Sequence, residues 1–315
     1  MVVNLIADNF RVFFYLQVSN HMVIPYFCVP DLGPKMYIAY GWLEEFIGTN
    51  RRELYEKMRQ GSTDAHIDIS GACNILANVV EPKVELKSTF LSQNIGTFFP
   101  TPNEAPSSLF TKRQRQSALR NILTEGGVDQ AVIEKFCQSD LVAGALWHIW
   151  PPRHTAKIRS ILKKLDKSNQ YKKSSGNDPI HDQDTYITGE LREKLEEHDI
   201  YAQAIIQCAG DCVFIPQVRN LSEFYSNFMI KVKLLNFQGA VHQVLNINSC
   251  VKIAVDFISP QCVRNALETT NELRGLSATH ENREDKLQLK AHLYHTGTGL
   301  FFQCKVLLDY NVRSK

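Results

Sequence analysis

No two of the eight cysteines are spaced as CxxC, and they do not cluster in any tract. The sequence therefore carries neither a zinc-ribbon signature nor a disulfide framework, and free thiols in a reducing cytosol or nucleus are expected. Charge of one sign is also lacking. Lys plus Arg number 35 against 33 Asp plus Glu, a formal net charge of +2, which excludes a strong global field toward nucleic acid or an anionic membrane. The densest basic group, Lys163, Lys164, Lys167, Lys172 and Lys173, reads as a solvated helix end and loop. Long hydrophobic runs are missing too. The apolar N-terminal stretch MVVNLIADNFRVFFYLQV is broken by Asn4, Asp8, Asn9 and Arg11 short of a membrane-spanning length and has no small-residue cleavage site, so neither a transmembrane helix nor a signal peptide is expected. Internal repeats and long low-complexity tracts are absent as well.

What is present is an ordinary globular composition, 44% hydrophobic and 22% charged over 315 residues, enough to bury one large core or two small ones. Short runs rich in Val, Ile and Phe, bounded by Gly, Pro, Asn or Asp, predict strands at 66–80, 204–208, 212–216, 242–247 and 250–258. Helices are expected where Ile158, Ile161, Leu162 and Leu165 repeat with helical spacing behind a capping Thr155. A second is expected behind Ser259 and Pro260, with Val263, Ala266 and Leu267 on its apolar face. The Pro- and Ser-rich stretches 98–108 and 166–179 read as loops.

The strand-like run STDAHIDIS holds the only H-x-[D/E] of the chain, His66 and Asp68. In a strand, side chains at i and i+2 share a face, so an imidazole nitrogen and a carboxylate oxygen would stand side by side. That is two-thirds of a 2-His-1-carboxylate facial triad, which binds non-haem Fe(II) and leaves three positions open. With ten histidines in 315 residues about one such spacing is expected by chance, and a hydrogen-bonded structural pair is the alternative. The candidate third ligand is His242, which follows a Gly turn and opens a strand far along the chain, as a β-barrel closing around one metal requires. Structural roles are expected for His148, His181, His280, His292 and His295.

Many double-stranded β-helix proteins carry a pattern resembling G-D-x-x-x-I-P-x-G-x-x-H. Here Gly210, Asp211, Ile215 and Pro216 supply its first half, and Gly239 and His242 its second. Residues 218–238 stand between the halves, and their deletion leaves GDCVFIPQGAVHQV, which restores the spacing. The interrupting stretch reads as an insertion. Its borders after Gln217 and at Phe237-Gln238 are compatible with splice-site codons, as a retained intron would leave, and a lid loop beside the site is the alternative.

PDLGPKMYIAYG (30–41), HIDIS (66–70), GALWHI (144–149), DPIHDQ (178–183), GDCVFIP (210–216), GAVHQV (239–244), NSCVKIAVDFISP (248–260) and HENREDKLQLK (280–290) occur in an order that resembles the JmjC-domain histone demethylases of the lysine demethylase 3 group. The resemblance implies an α+β fold, a β-rich double-stranded β-helix (cupin-like jelly roll) with helical insertions and a C-terminal helical segment. Its implied divisions are an atypical stretch 1–23, a catalytic domain 24–258 interrupted at 218–238, and a helical extension 259–315.

By the same resemblance His66, Asp68 and His242 would hold Fe(II), with 2-oxoglutarate and O2 as cosubstrates. The reaction implied removes methyl groups from mono- and dimethylated lysine 9 of the histone H3 tail in the nucleus, with chromatin and transcription factors as partners. Sequence-specific nucleic-acid binding and membrane association are not expected. For 2-oxoglutarate the candidates are Thr63, a short hydroxyl donor three residues before His66, Lys252, a cation on the strand after His242, and Asn74. An outward-pointing lysine and a structural amide are the alternatives for the last two. The chain departs from the family pattern at Gln203 and Leu245. An inert scaffold of the same fold and a JmjC protein hydroxylase are the competing functional readings.

Overall fold

The computed structural model describes residues 33–48, 62–80, 112–167, 178–215, 232–234, 239–257, 263–276, 287–291 and 293–294. Among these, nine strands form two sheets. The first contains β1 (Lys35–Ala39), β3 (Gly71–Val79), β6 (Cys212–Ile215), β7 (Val232–Leu234) and β9 (Cys250–Phe257), in the order β1-β9-β3-β6-β7. The second contains β2 (Ser62–His66), β4 (Ala143–Ile149), β5 (Gln203–Cys208) and β8 (His242–Asn246), in the order β2-β8-β4-β5. All pairings are antiparallel except β6 with β7, which run parallel.

The two sheets face each other. Ala72, Leu76, Val213, Ile215 and Cys250 from the first pack against Ala145, Trp147, Ile149, Ile205 and Val244 from the second. The outer face of the second sheet is covered as well. Helices α1 (Lys112–Glu125) and α2 (Gln130–Cys137) bury Ile122, Leu123 and Ile133 against Leu146, Ile206 and Leu245. Helices α3 (Thr155–Lys167) and α4 (Gly189–Glu196) bury Ile158, Leu162, Leu191 and Leu195 with Ala65, Trp150 and Val241. Burial on both faces explains why β4 and β8 read as continuous apolar runs rather than alternating ones. Leu245, one of the departures from the family pattern, is completely buried in this helical layer.

Three sequence expectations change. The run 66–80 is not one strand: β2 ends at His66 in the second sheet and β3 starts at Gly71 in the first. The crossing segment between them carries Asp68, so His66 and Asp68 do not share one strand face. Thr155 is not a cap but the first helical residue, with φ −51 and ψ −50, and its hydroxyl donates to the Gly239 carbonyl (3.2 Å). Within the interrupting stretch 218–238, Val232–Leu234 form an edge strand beside β6. The rest of that stretch, residues 1–32, Ser259 and Pro260, His280, His292 and His295 lie outside the described residues. Helix α5 (Val263–Arg274) is in place, with Val263, Ala266 and Leu267 packed against Leu287 and Leu289 as its spacing predicts.

Beyond the end of β1, the backbone of Gly41 lies against the residues that lead into β9. A Cβ there would clash with the Asn248 and Ser249 backbone, which no side-chain readjustment relieves. Gly41→Ala is therefore expected to destabilise the protein by about 1–3 kcal/mol, read as a fall in thermal midpoint; an unchanged midpoint would contradict this packing.

Candidate metal centre

β2 and β8 are neighbours, and their register sets His66 opposite His242. Thr63 pairs with Val244, so three steps along β2 match two along β8, and a bulge absorbs the difference. The extra residue turns Thr63 and His66 to the same face although they are three apart. His242, Val244 and Asn246 alternate along β8, and Lys252, Ala254 and Asp256 along β9. All of these line one cavity of about 730 Å³ together with Thr63, His66, Asp68, Asn74 and Trp147.

At its centre the His66 and His242 rings lie 4.1 Å apart, centroid to centroid, and tilt by 54°. Asp68 Oδ1 is 3.6 Å from His66 Nε2, and Asp68 Oδ2 is 3.4 Å from His242 Nε2. The three donor atoms all lie within 4.8 Å of one another, and no other such group occurs among the described residues. Each imidazole is oriented by a carbonyl two residues upstream: His66 Nδ1 donates to Asp64 (2.7 Å) and His242 Nδ1 to Ala240 (3.1 Å). A carbonyl can only accept, so Nδ1 carries a proton in each ring and Nε2 is the nitrogen that faces the cluster.

Electrostatics favours the same arrangement. Burial, and then the nearby His242, push the His66 imidazolium down to about 4, so this ring is neutral. Burial opposes ionisation of Asp68, but His242, by charge and hydrogen bond, overrides it and holds the carboxyl at about 2. His242 itself is raised: burial disfavours its charge, and the Asp68 carboxylate more than compensates. A neutral His66 nitrogen, an ionised Asp68 and a His242 whose extra proton a bound cation would displace make the chemistry of a cation site.

The cosubstrate candidates also converge. Lys252 is 5% exposed, which removes the outward-pointing alternative. Its ammonium donates to Asn246 Oδ1 (2.6 Å) and lies 5.8 Å from the Trp147 ring centroid. Burial lowers its pKa to about 8, so it remains largely charged at neutral pH. Asn74 lines the cavity with a buried side-chain oxygen that has no partner, a costly state unless another group supplies the bond. Thr63 is exposed on the cavity wall.

Other residues were not legible as contributors. Trp147 stacks on His242 (6.2 Å, 21°), and Asn246 holds Lys252. Neither carries a sequence signal beyond the family motif that contains Trp147. His148 is structural, as expected: it is buried, its Nε2 donates to the Gly126 carbonyl (2.8 Å), and its Nδ1 accepts from the Gln243 amide (3.3 Å). His181, in the DPIHDQ loop, is buried against Glu272 of α5 (3.0 Å) and Arg159 of α3 (3.2 Å), and Arg159 also pairs with Asp178 (2.9 Å). That motif therefore ties the C-terminal helix to the cavity rim.

Two facing, predominantly antiparallel sheets, with two histidines and an aspartate converging between them, define a mixed α/β protein with a candidate mononuclear metal centre. The chain is a relative of the lysine demethylase 3 group. It is 36% identical over 271 residues to "Lysine-specific demethylase 3A-B" of Xenopus laevis, covering 86% of this chain and 16% of that protein. It is 35% identical to "Lysine-specific demethylase 3" of Drosophila melanogaster, covering 85% and 25%. It is 28% identical to the human "Probable JmjC domain-containing histone demethylation protein 2C", covering 86% and 8%. The chain thus spans a quarter or less of the length of these relatives. No family model matches it.

Proposed function

We propose that this chain is an Fe(II)- and 2-oxoglutarate-dependent dioxygenase module that demethylates histone lysine, with mono- and dimethylated lysine 9 of the H3 tail as substrate, acting with chromatin and transcription factors in the nucleus. The jelly-roll assignment of the two sheets, with 24–258 as the catalytic unit, belongs to the same reading. The observation that carries it is the convergence of the His66, Asp68 and His242 donors within 4.8 Å, beside a buried lysine. The names of the relatives point to the same chemistry.

The residues present fit the group. His66 and His242 would offer Nε2, and Asp68 a carboxylate oxygen, leaving the cavity side for a chelating 2-oxo acid. Bound together, iron and 2-oxoglutarate would supply, with O2 as the oxidant, the oxidation of an N-methyl group: one oxygen atom goes to the methyl carbon, which leaves as formaldehyde, and the other to the 2-oxo acid, which leaves as succinate and CO2. The chain's own residues bind and orient. Lys252 would take the distal carboxylate by a charge-assisted bond. The Thr63 hydroxyl would donate to the same carboxylate, and the Asn74 amide would lie along the cosubstrate. Val244, Ile215 and Trp147 wall the cavity with apolar surface, which limits competing reactions with water.

The test is incubation of the chain with Fe(II), 2-oxoglutarate, O2 and H3 peptides carrying mono-, di- or unmethylated lysine 9, with peptide mass, succinate and formaldehyde followed together. Loss of methyl mass matched by formaldehyde is the expected result. Gain of oxygen on the unmethylated peptide would replace the reading with that of a protein hydroxylase. Cosubstrate binding without succinate from any peptide would leave an inert scaffold.

A further inference from the structure

Gln207 is a fully buried amide on β5, remote in sequence from every residue of the metal centre. Its side chain is used to capacity as a donor and spans the two sheets. Gln207 Oε1 accepts the Trp147 indole N–H (2.8 Å), and its amide nitrogen donates to the carbonyls of Asn74 (3.0 Å) on β3 and Asp211 (3.2 Å). Trp147 in turn stacks on the His242 imidazole and underlies the Lys252 ammonium.

Resting on the metal and cosubstrate reading above, we propose that Gln207 is a positioning residue: through the Trp147 indole it sets the seat of the Lys252 ammonium. An indole with an unbound N–H has two ring orientations about its terminal torsion; the N–H···O bond selects one. The selected face is the surface on which the ammonium rests. Lys252 has one further fixed partner, Asn246, so the ring is half of what holds it. A neutral amide suits this place because it accepts on one side and donates twice on the other. A hydrocarbon would orphan an indole N–H and a strand carbonyl in a dry interior.

The experiment uses the full chain and titrates Fe(II), then 2-oxoglutarate under anaerobic conditions, following the visible charge-transfer band, in wild type, Gln207→Met, Trp147→Phe and the double variant. Gln207→Met is expected to weaken 2-oxoglutarate by up to roughly tenfold, the upper range for one lost neutral hydrogen bond, while Fe(II) affinity changes by less than about threefold. The double variant is expected to be no weaker than Trp147→Phe, because both lesions act through one ring. Should Gln207→Met not fold, Trp147→Phe, which keeps an aromatic face and loses the N–H, carries the same expectation alone. Unchanged cosubstrate affinity, a parallel loss of metal and cosubstrate, or additive effects would overturn the positioning role. A wild type that takes up Fe(II) but shows no 2-oxoglutarate band would overturn the cosubstrate reading on which it rests.

Discussion

His242→Ala is expected to abolish metal binding and every reaction that depends on it. His242 is 2% exposed and contributes its Nε2 at 3.4 Å from Asp68. Its ring stacks on Trp147, and no other donor of the described residues stands close enough to replace it. With two donors left on one side of the cavity, affinity for Fe(II) should fall by more than about 100-fold, the upper range seen when only an outer partner of a ligand is removed. The fold should persist, because the imidazole's one backbone bond is to the Ala240 carbonyl and its remaining contacts, with Asp68, His66 and Trp147, lie within the site. Calorimetric titration with Co(II) as an oxygen-stable surrogate, paired with circular dichroism, reads both. A folded variant that binds the ion as wild type does would place the metal elsewhere.

Lys252→Met is expected to separate cosubstrate from metal. The methionine keeps the stem's volume against the sheet and removes the ammonium, so Fe(II) affinity should be nearly unchanged. The lost bond to a carboxylate is charge-assisted, with a net value of about 1.5–3 kcal/mol, which corresponds to roughly 10- to 150-fold weaker 2-oxoglutarate. Wild type should show a matching pH dependence. Burial lowers the Lys252 pKa from 10.5 to about 8; the ammonium that receives the dianion is present below that value and lost above it, so affinity should decline as pH rises through about 8. A flat profile there, or a Lys252→Met variant that binds 2-oxoglutarate normally, would assign the carboxylate to another donor.

These two residues were legible in different ways. His242 stood out because a Gly turn before a histidine at the head of an apolar strand is a local pattern, and β8 begins at that residue. Lys252 is legible as a cation on the strand after His242 and a candidate for 2-oxoglutarate, with an outward-pointing lysine as the alternative. Period-two alternation showed which neighbours share its face but not whether that face looks inward. The pairing of His66 with Asp68 was inferred from a strand that does not exist as such. The chain leaves β2 at His66, and Asp68 reaches the cluster from the crossing segment. The two residues meet because both sit beside the same β8 histidine, not because they share a pleat. Trp147 and Gln207 carried no readable role, since their value lies in an indole N–H meeting an amide oxygen on a strand 60 residues away.

By itself the sequence singled out His66, Asp68 and His242 as a candidate donor set, and determined the run of short apolar strands and the amphipathic faces of α3 and α5. Side-chain chemistry and periodicity are properties of neighbours along the chain. The tertiary structure alone decided that β2 and β8 pair with a bulge that brings Thr63 onto the metal face, that Lys252 points into the cavity, and that Gln207 joins the two sheets behind Trp147. Each of these depends on which face of one strand meets which face of another. That choice is made by burying both sheets against each other and against helices α1 to α4, and it is not encoded in any single segment.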